Sequence, residues 1–221
     1  RNVTPDATAA GRYFLGTLSG LFYTNNSGST WTEVDLPAGA VNSFAIAPDR
    51  ATSYAAAATI YKFDLSTPGL EGAAADTGLP GTTSDGGVAV DKNAPATVYA
   101  SVQYHGLYKS TDAGANWSKL TNLVRPRSAS LVFRIDPLDT QTLWAGFTNP
   151  FQSASGGGIW RSTDGGANWT QLSNGLATPL ARDIHSLAPS KVTAGTVFAG
   201  TGDGIYRSTD SGANWSRMVW Y

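Results

Sequence analysis

Any chemistry in this chain has to come from a short inventory. It holds two histidines, His105 and His185, two glutamates, Glu33 and Glu71, and no cysteine. Without thiolates there is neither a disulfide framework nor a Cys-ligated metal site. The histidines fall in separate stretches of chain. His105 follows Tyr104 in a loop and His185 opens an inner strand, so they do not read as a metal pair. There is no P-loop, no G-x-S-x-G and no H-E-x-x-H, which removes the phosphate cradle, the serine elbow and the zinc-protease helix. Glycoside hydrolysis needs two carboxyl groups facing each other across a cleft. Asp183 and Asp203 are the carboxylates that fall near strand ends where a ligand could sit, although most Asp in such positions form turns. No cofactor and no metal is expected.

Aromatic and planar groups remain. Gln103-Tyr-His105, Phe147-Thr-Asn-Pro-Phe-Gln152, Arg125-Pro-Arg127 and Arg182-Asp183 read as loop segments. Aromatic faces suit sugar rings or a peptide, and the three arginines add forks for carboxylate or phosphate. The candidate ligand-binding set is Tyr104, His105, Arg125, Arg127, Phe147, Phe151, Arg182 and Asp183. A net charge of −1 with 14% charged residues gives no electrostatic reason to expect nucleic acid or an anionic membrane surface. No apolar run approaches the roughly 20 residues needed to span a bilayer. The chain opens at Arg1 without an initiator Met or signal peptide, which reads as a processed product or an excised piece.

The elements that would position these residues are set by an internal repeat. Gly106-Leu-Tyr-Lys-Ser-Thr-Asp-Ala-Gly-Ala-Asn-Trp117 recurs as Gly158-Ile-Trp-Arg-Ser-Thr-Asp-Gly-Gly-Ala-Asn-Trp169 and Gly204-Ile-Tyr-Arg-Ser-Thr-Asp-Ser-Gly-Ala-Asn-Trp215. Gly20 to Trp31 aligns without a gap but has Asn26 in place of the Asp, and Thr59 to Asp64 keeps only the strand. The aromatic anchors Phe22, Tyr61, Tyr108, Trp160 and Tyr206 are spaced by 39, 47, 52 and 46 residues. A loop insertion from Phe147 to Gly157 accounts for the longest interval.

Each unit reads as four short strands, the fourth starting at the motif Trp, with nothing of helical period. The spacing predicts an all-β fold, a β-propeller of five four-stranded antiparallel blades at about 1–38, 39–81, 82–124, 125–177 and 178–221, in a single domain. Asp112, Asp164 and Asp210 are short acceptors for turn N–H groups, followed by glycines that supply backbone freedom. Trp117, Trp169 and Trp215 are expected to fold back on their own hairpins. One carboxylate per turn is too few oxygen ligands for calcium. The five blades are expected to close into a ring, with the strand ending at Tyr221 as the outer strand of the fifth.

The S-x-D-x-G-x-x-W wording resembles the Asp-box, a repeat of sialidases, sortilin-type receptors, xyloglucanase-type glycoside hydrolases and photosystem II assembly factors. The likeness covers nearly the whole chain and is closer to the last two. It implies that the motif joins the two outer strands on the face away from the ligand site, so that Asp112, Trp117, Asp164, Trp169, Asp210 and Trp215 are scaffold. A sialidase would need an arginine triad and a Tyr–Glu pair. Phe133-Arg134-Ile135-Asp136 echoes its Arg-Ile-Pro signature only faintly and is explained as a first strand. Two functions follow as expectations. One is a non-catalytic extracellular or periplasmic recognition propeller that binds a glycan or protein where blades three to five meet. The other is a fragment of a xyloglucanase-like hydrolase, which the sparse Glu and the lack of an evident paired-carboxylate cleft disfavour.

Overall fold

The computed structural model describes residues 3–37, 39–48, 52–65, 70–81, 86–123, 130–149, 151 and 156–219. Among them there is no helix, and the strands form five four-stranded antiparallel sheets, each in chain order. The first is β1 (Val3–Pro5), β2 (Tyr13–Gly16), β3 (Leu21–Thr24) and β4 (Thr32–Glu33). The second is β5 (Ser43–Ile46), β6 (Ser53–Ala56), β7 (Ile60–Phe63) and β8 (Ala73–Ala74). The third is β9 (Val88–Val90), β10 (Val98–Val102), β11 (Gly106–Ser110) and β12 (Ser118–Lys119). The fourth is β13 (Leu131–Ile135), β14 (Leu143–Phe147), β15 (Gly158–Ser162) and β16 (Thr170–Gln171). The fifth is β17 (Ile184–Pro189), β18 (Val197–Thr201), β19 (Gly204–Ser208) and β20 (Ser216–Arg217). These are the blades of a β-propeller fold. The outer strand of the fifth sheet is Ser216–Arg217, and Tyr221, to which the sequence reading extended it, lies outside the described residues.

The chain divides into two compact units, Arg1–Lys119 with three blades and Leu120–Tyr221 with two. Within each blade the second strand is paired on both sides, and β6, β10 and β14 are buried at every position. The fourth strand is two exposed residues long in every blade, which leaves little free edge for stray pairing. In the four blades that carry the motif Trp it begins at the next residue.

The turn between the third and fourth strands is built by one hydroxyl and one acid. Ser162 Oγ donates to Asp164 Oδ1 at 2.7 Å and accepts the Gly166 N–H at 2.9 Å. Asp164 Oδ1 accepts the Asn168 N–H at 2.9 Å, and its other oxygen accepts Asn168 Nδ2 at 2.8 Å. The same bonds join Ser110, Asp112, Gly114 and Asn116, and again Ser208, Asp210, Gly212 and Asn214. In the first blade Thr24 and Asn26 reproduce them, with Asn26 Oδ1 accepting from Thr24 Oγ1 and from the Thr30 N–H.

The residue after the acid is left-handed in all four turns, at φ 57° for Ser27, 56° for Ala113, 66° for Gly165 and 59° for Ser211. Roughly 1–2 kcal/mol of strain at each non-Gly position is offset by a bond from its N–H to the loop between the first two strands of the same blade. The acceptors are the carbonyls of Gly11, Ala96 and Gly195 at 2.8–2.9 Å.

Within each unit a blade then docks on the one before it. A row running across its first three strands meets the preceding blade: Phe44, Ala55 and Tyr61 on the first, Val88, Ala100 and Tyr108 on the second, Leu187, Ala199 and Tyr206 on the fourth. We call this the leading face, and the surface it meets the trailing face. The motif Trp clamps the contact. Trp117 Nε1 donates to Ala75 O at 2.8 Å, and Trp215 Nε1 donates to Leu172 O at 2.8 Å. Sequence reading placed these indoles on their own hairpins; only Trp169, bonded to Gly166 O at 2.9 Å, does that. The reason is that Ala75 and Leu172, the residues after β8 and β16, leave their carbonyls where these two indoles arrive. Gly175 (φ 89°) then lets the chain pass against Trp215, whose carbonyl a Cβ there would strike.

Two outcomes are expected. The Asp112, Asp164 and Asp210 carboxyls are lowered from 3.8 to about 2. The largest cause is the Asn116 or Asn214 side-chain amide for the first and last, and the Asn168 N–H for Asp164. A depressed carboxyl stabilises the fold above its unfolded value and loses that contribution as pH falls through the folded one. Acid unfolding should therefore set in between pH 4 and 2 and be shallower in Asp164→Asn, which melts like the parent at pH 7 with the Asn168 amide flipped. A loss of fold in Asp164→Asn at pH 7 would refute this. Gly175→Ala should cost more than about 1 kcal/mol in a thermal melt.

Candidate functional site

Antiparallel connection puts the turn motifs at one end of each blade. The β14–β15 hairpin loop and the β16–β17 connection therefore emerge at the other end. In the second unit these two segments are tied together. Phe147 pairs with Gly158, so the inserted loop runs over residues 148–157, against 103–105 and 202–203 in the corresponding hairpins. Its entry is held by buried Asn149, whose N–H donates to Asp183 Oδ1 at 2.7 Å and whose Nδ2 donates to Pro179 O at 3.2 Å. Its exit is held by the Gly158 N–H, which donates to Arg182 O at 2.7 Å. Gly157 (φ 66°) stands where any Cβ would strike that same carbonyl. Asn149 and Gly157 were not singled out from the sequence; an Asn-Pro step and a Gly run at the two ends of the insertion are the signal that was there to read.

Arg182 is oriented by its own backbone neighbourhood: Nε donates to Leu176 O at 2.9 Å. It lines a cavity of about 460 Å³ together with Gln171, Ser173, Asn174 and Leu176. Asp183 Oδ2 lies 3.1 Å from His185 Nε2. His185 sits where β17 slips register against β18, between Ile184 and Ser186, and that bulge turns its ring outward to Asp183. Asp203 accepts the Tyr206 hydroxyl at 3.0 Å and lies 3.4 Å from Arg217. Burial, then this bond to Asp203, pushes the Tyr206 hydroxyl up.

The structure thus brings Arg182 and Asp183 together with the root of the inserted loop. Phe151 is 76% exposed. Phe147 is a correction: it ends β14 fully buried, edge-on to Trp160 with ring centroids 5.0 Å apart, because the strand continues further than the repeat spacing suggested. Arg125 and Arg127 lie outside the described residues. Tyr104 and His105 belong to the first unit, both exposed at the β10–β11 hairpin, with Tyr104 left-handed at φ 61°. That unit has its own cavity of about 360 Å³, lined by Ala58, Thr59, Asp76, Leu79 and Gly81, where Thr59 Oγ1 donates to Asp76 Oδ2 at 3.1 Å. Sequence reading did not foresee either cavity.

No family model matches the chain. It is 28% identical over 188 residues to a xyloglucanase of Hypocrea jecorina (strain QM6a), which covers 83% of this chain and 21% of that enzyme. A xyloglucanase of Paenibacillus sp. is 29% identical over 119 residues, 42% of this chain and 11% of the enzyme. The chain therefore spans about a fifth or less of the curated relatives it matches. Among solved structures, a GH74 enzyme of Niastella koreensis superposes with a TM-score of 0.72 at 19% identity, over 99% of this chain and 31% of that one. YCF48 bound to D1 peptide superposes with a TM-score of 0.60 at 14% identity, over 92% and 62%. These structural likenesses are likenesses of fold.

Asp183→Ala would leave the buried Asn149 N–H without its acceptor. The expected cost is about 1–3 kcal/mol in a denaturant melt, with faster hydrogen exchange at the Asn149 amide. Unchanged stability would show that Asp183 is not the anchor of the loop.

Proposed function

We propose that this chain is a non-catalytic, extracytoplasmic recognition propeller that binds a polymeric glycan through the loops opposite its turn motifs, which we read as Asp-boxes. The observation that carries the reading is the use made of its two candidate carboxylates. Asp183 holds the Asn149 N–H and faces His185, and Asp203 holds the Tyr206 hydroxyl and faces Arg217. Both side chains serve the fold, whereas a glycosidase needs an acid and a second carboxyl aimed at a shared bond. The groups left facing solvent are an aromatic ring at Phe151 and the amide of Gln171 beside Arg182. Rings and planar hydrogen-bonding groups are what sugar faces and hydroxyls engage. The likeness to xyloglucanases supports a β-glucan backbone as the first ligand to try, and a location outside the cytoplasm, where such polymers occur.

The same likeness favours a second reading, in which the chain is part of a xyloglucanase-like hydrolase that supplies substrate-binding loops while other blades carry the acid and base. Both readings require binding by these loops, and that is tested first. Xyloglucan oligosaccharide should bind the 221-residue chain by calorimetry without release of new reducing ends. Arg182→Ala and Phe151→Ala should each weaken binding by about tenfold, equal to about 1.4 kcal/mol. Release of reducing ends would overturn the non-catalytic reading. Undiminished binding in both variants would remove the site.

A further inference from the structure

Two connections, one in each unit, are built to the same plan. After β8 the chain runs Ala75-Asp-Thr-Gly-Leu79, and after β16 it runs Leu172-Ser-Asn-Gly-Leu176. The first residue of each stays on its own blade: the Ala75 N–H donates to Ile60 O and the Leu172 N–H to Ile159 O, both at 2.8 Å. A tight turn follows, closed by the Leu79 N–H on Asp76 O at 2.8 Å and by the Leu176 N–H on Ser173 O at 3.1 Å. Gly78 and Gly175 take the same left-handed φ, 92° and 89°.

The motif Trp of the following blade locks each connection from outside. Trp117 gives Nε1 to Ala75 O and its N–H to Thr77 O, and Trp215 gives Nε1 to Leu172 O and its N–H to Asn174 O, all at 2.8–2.9 Å. A Cβ on either glycine would strike the carbonyl of that same Trp. The path of each connection is therefore fixed before any ligand arrives, which spares a ligand the cost of ordering it.

Both connections border a hollow at their own blade's hairpin. Asp76 and Ser173 hold the same position in the turn, and each reaches back to that hairpin. Asp76 Oδ2 accepts the Thr59 hydroxyl at 3.1 Å, and Ser173 Oγ accepts the Ile159 N–H at 3.3 Å. The hollow in the second unit carries Arg182 and Gln171, and the one in the first unit carries Asp76 and Thr59 beside Ala58 and Leu79. Leu79 is half-buried against the core of its unit, whereas Asp76 is exposed. An apolar wall next to a carboxylate that accepts several hydrogen bonds suits the C–H face and the hydroxyls of a sugar ring. Sugar hydroxyls both donate and accept, so one neutral ligand fits the acceptor at Asp76 and the donors at Arg182 and Gln171. An anionic ligand would be repelled at Asp76, and a cationic one at Arg182.

We propose that the hollow at Asp76 is a second binding subsite for a neutral sugar, the repeat equivalent of the one at Arg182. Trp117 and Trp215 are the positioning residues of the first and second hollow respectively. The proposal rests on the reading of this chain as a glycan-binding propeller. It gives the turn motif a part in recognition: the turn lies at one end of a blade, and its Trp shapes a hollow at the hairpin of the blade before.

The test is a titration of the isotope-labelled 221-residue chain with xyloglucan oligosaccharide, read by NMR at individual amides. Two separate sets of shifts are expected, one at Thr59 and Leu79 and one at Leu176 and Arg182. Asp76→Ala should weaken the first set at least severalfold and leave the second unchanged. Trp117→Phe, which keeps a ring and removes the donor, should also weaken only the first, and Trp215→Phe only the second, each with a cooperative melt. Shifts confined to the Arg182 hollow overturn the second subsite while glycan recognition stands. Shifts at neither hollow overturn glycan recognition itself. Shifts at Thr59 and Leu79 that survive Asp76→Ala at full affinity overturn the subsite. So does a first hollow that responds to glucosamine and not to the neutral oligosaccharide, because Asp76 is then an ammonium site. Affinities unchanged in both Trp variants overturn the positioning role.

Discussion

The hydroxyl of a serine that ends the third strand is the interaction on which each of the three complete turns depends. Ser110, Ser162 and Ser208 are nearly inaccessible, and each accepts a buried glycine N–H while donating to the acid two residues on. A single oxygen thereby fixes where the chain leaves the strand and where the acid must stand. The acid in turn holds the N–H of the Asn four residues further on, which closes the turn over two consecutive left-handed residues. Only with that turn closed do the tryptophans of the third and fifth blades, Trp117 and Trp215, arrive at the preceding blade. Turn closure and blade docking are coupled through a few atoms, in keeping with the nearest-neighbour energetics of repeat folds.

That coupling explains what could be read from residues alone. The turn tolerates few side-chain types, so Ser-Thr-Asp-x-Gly-Ala-Asn-Trp recurs almost letter for letter and announces the blades. Asn26 shows the limits of the requirement: an amide oxygen accepts the same two bonds as a carboxylate, and Thr30 takes the place of the Asn partner. Geometry, not charge, makes the turn. The second blade lost the wording but kept the four strands that the spacing predicts, β5 to β8. Phe147 was misjudged because repeat spacing locates an insertion but does not say how far the strand runs before it.

The site was less legible because its bonds join residues remote in sequence. Asn149 and Asp183 are 34 residues apart, and Trp215 and Leu172 are 43 apart. No local pattern encodes such partners. Asp183 looked like a carboxylate presented to a ligand, and it proves to be the post to which the inserted loop is tied. His185 looked like part of an inner strand, and a one-residue slip of register turns it outward. Bulges of this kind leave no mark in composition, since they depend on how two strands pair and not on either one.

The division of labour between the two ends of a blade follows from the same physics. At the turn-motif end, polar atoms are saturated by short local bonds, and a loop there could grow only by breaking them. At the opposite end the hairpin tips and the inter-blade connections answer to fewer constraints, so an insertion as long as 148–157 can be accepted if its two ends are pinned. Asn149 and the Gly158 N–H provide the pins, both on the 176–183 connection. The first unit repeats the arrangement on a smaller scale, with Thr59 of the β6–β7 hairpin bonded to Asp76 of the following connection beside a cavity. Two blades with different loop lengths thus solve one problem in one way: a side chain from the connection reaches back to the hairpin and leaves a polar hollow beside the bond. Variation in what such a propeller recognises can then reside in the hairpin sequence, while the connection that anchors it stays with the scaffold.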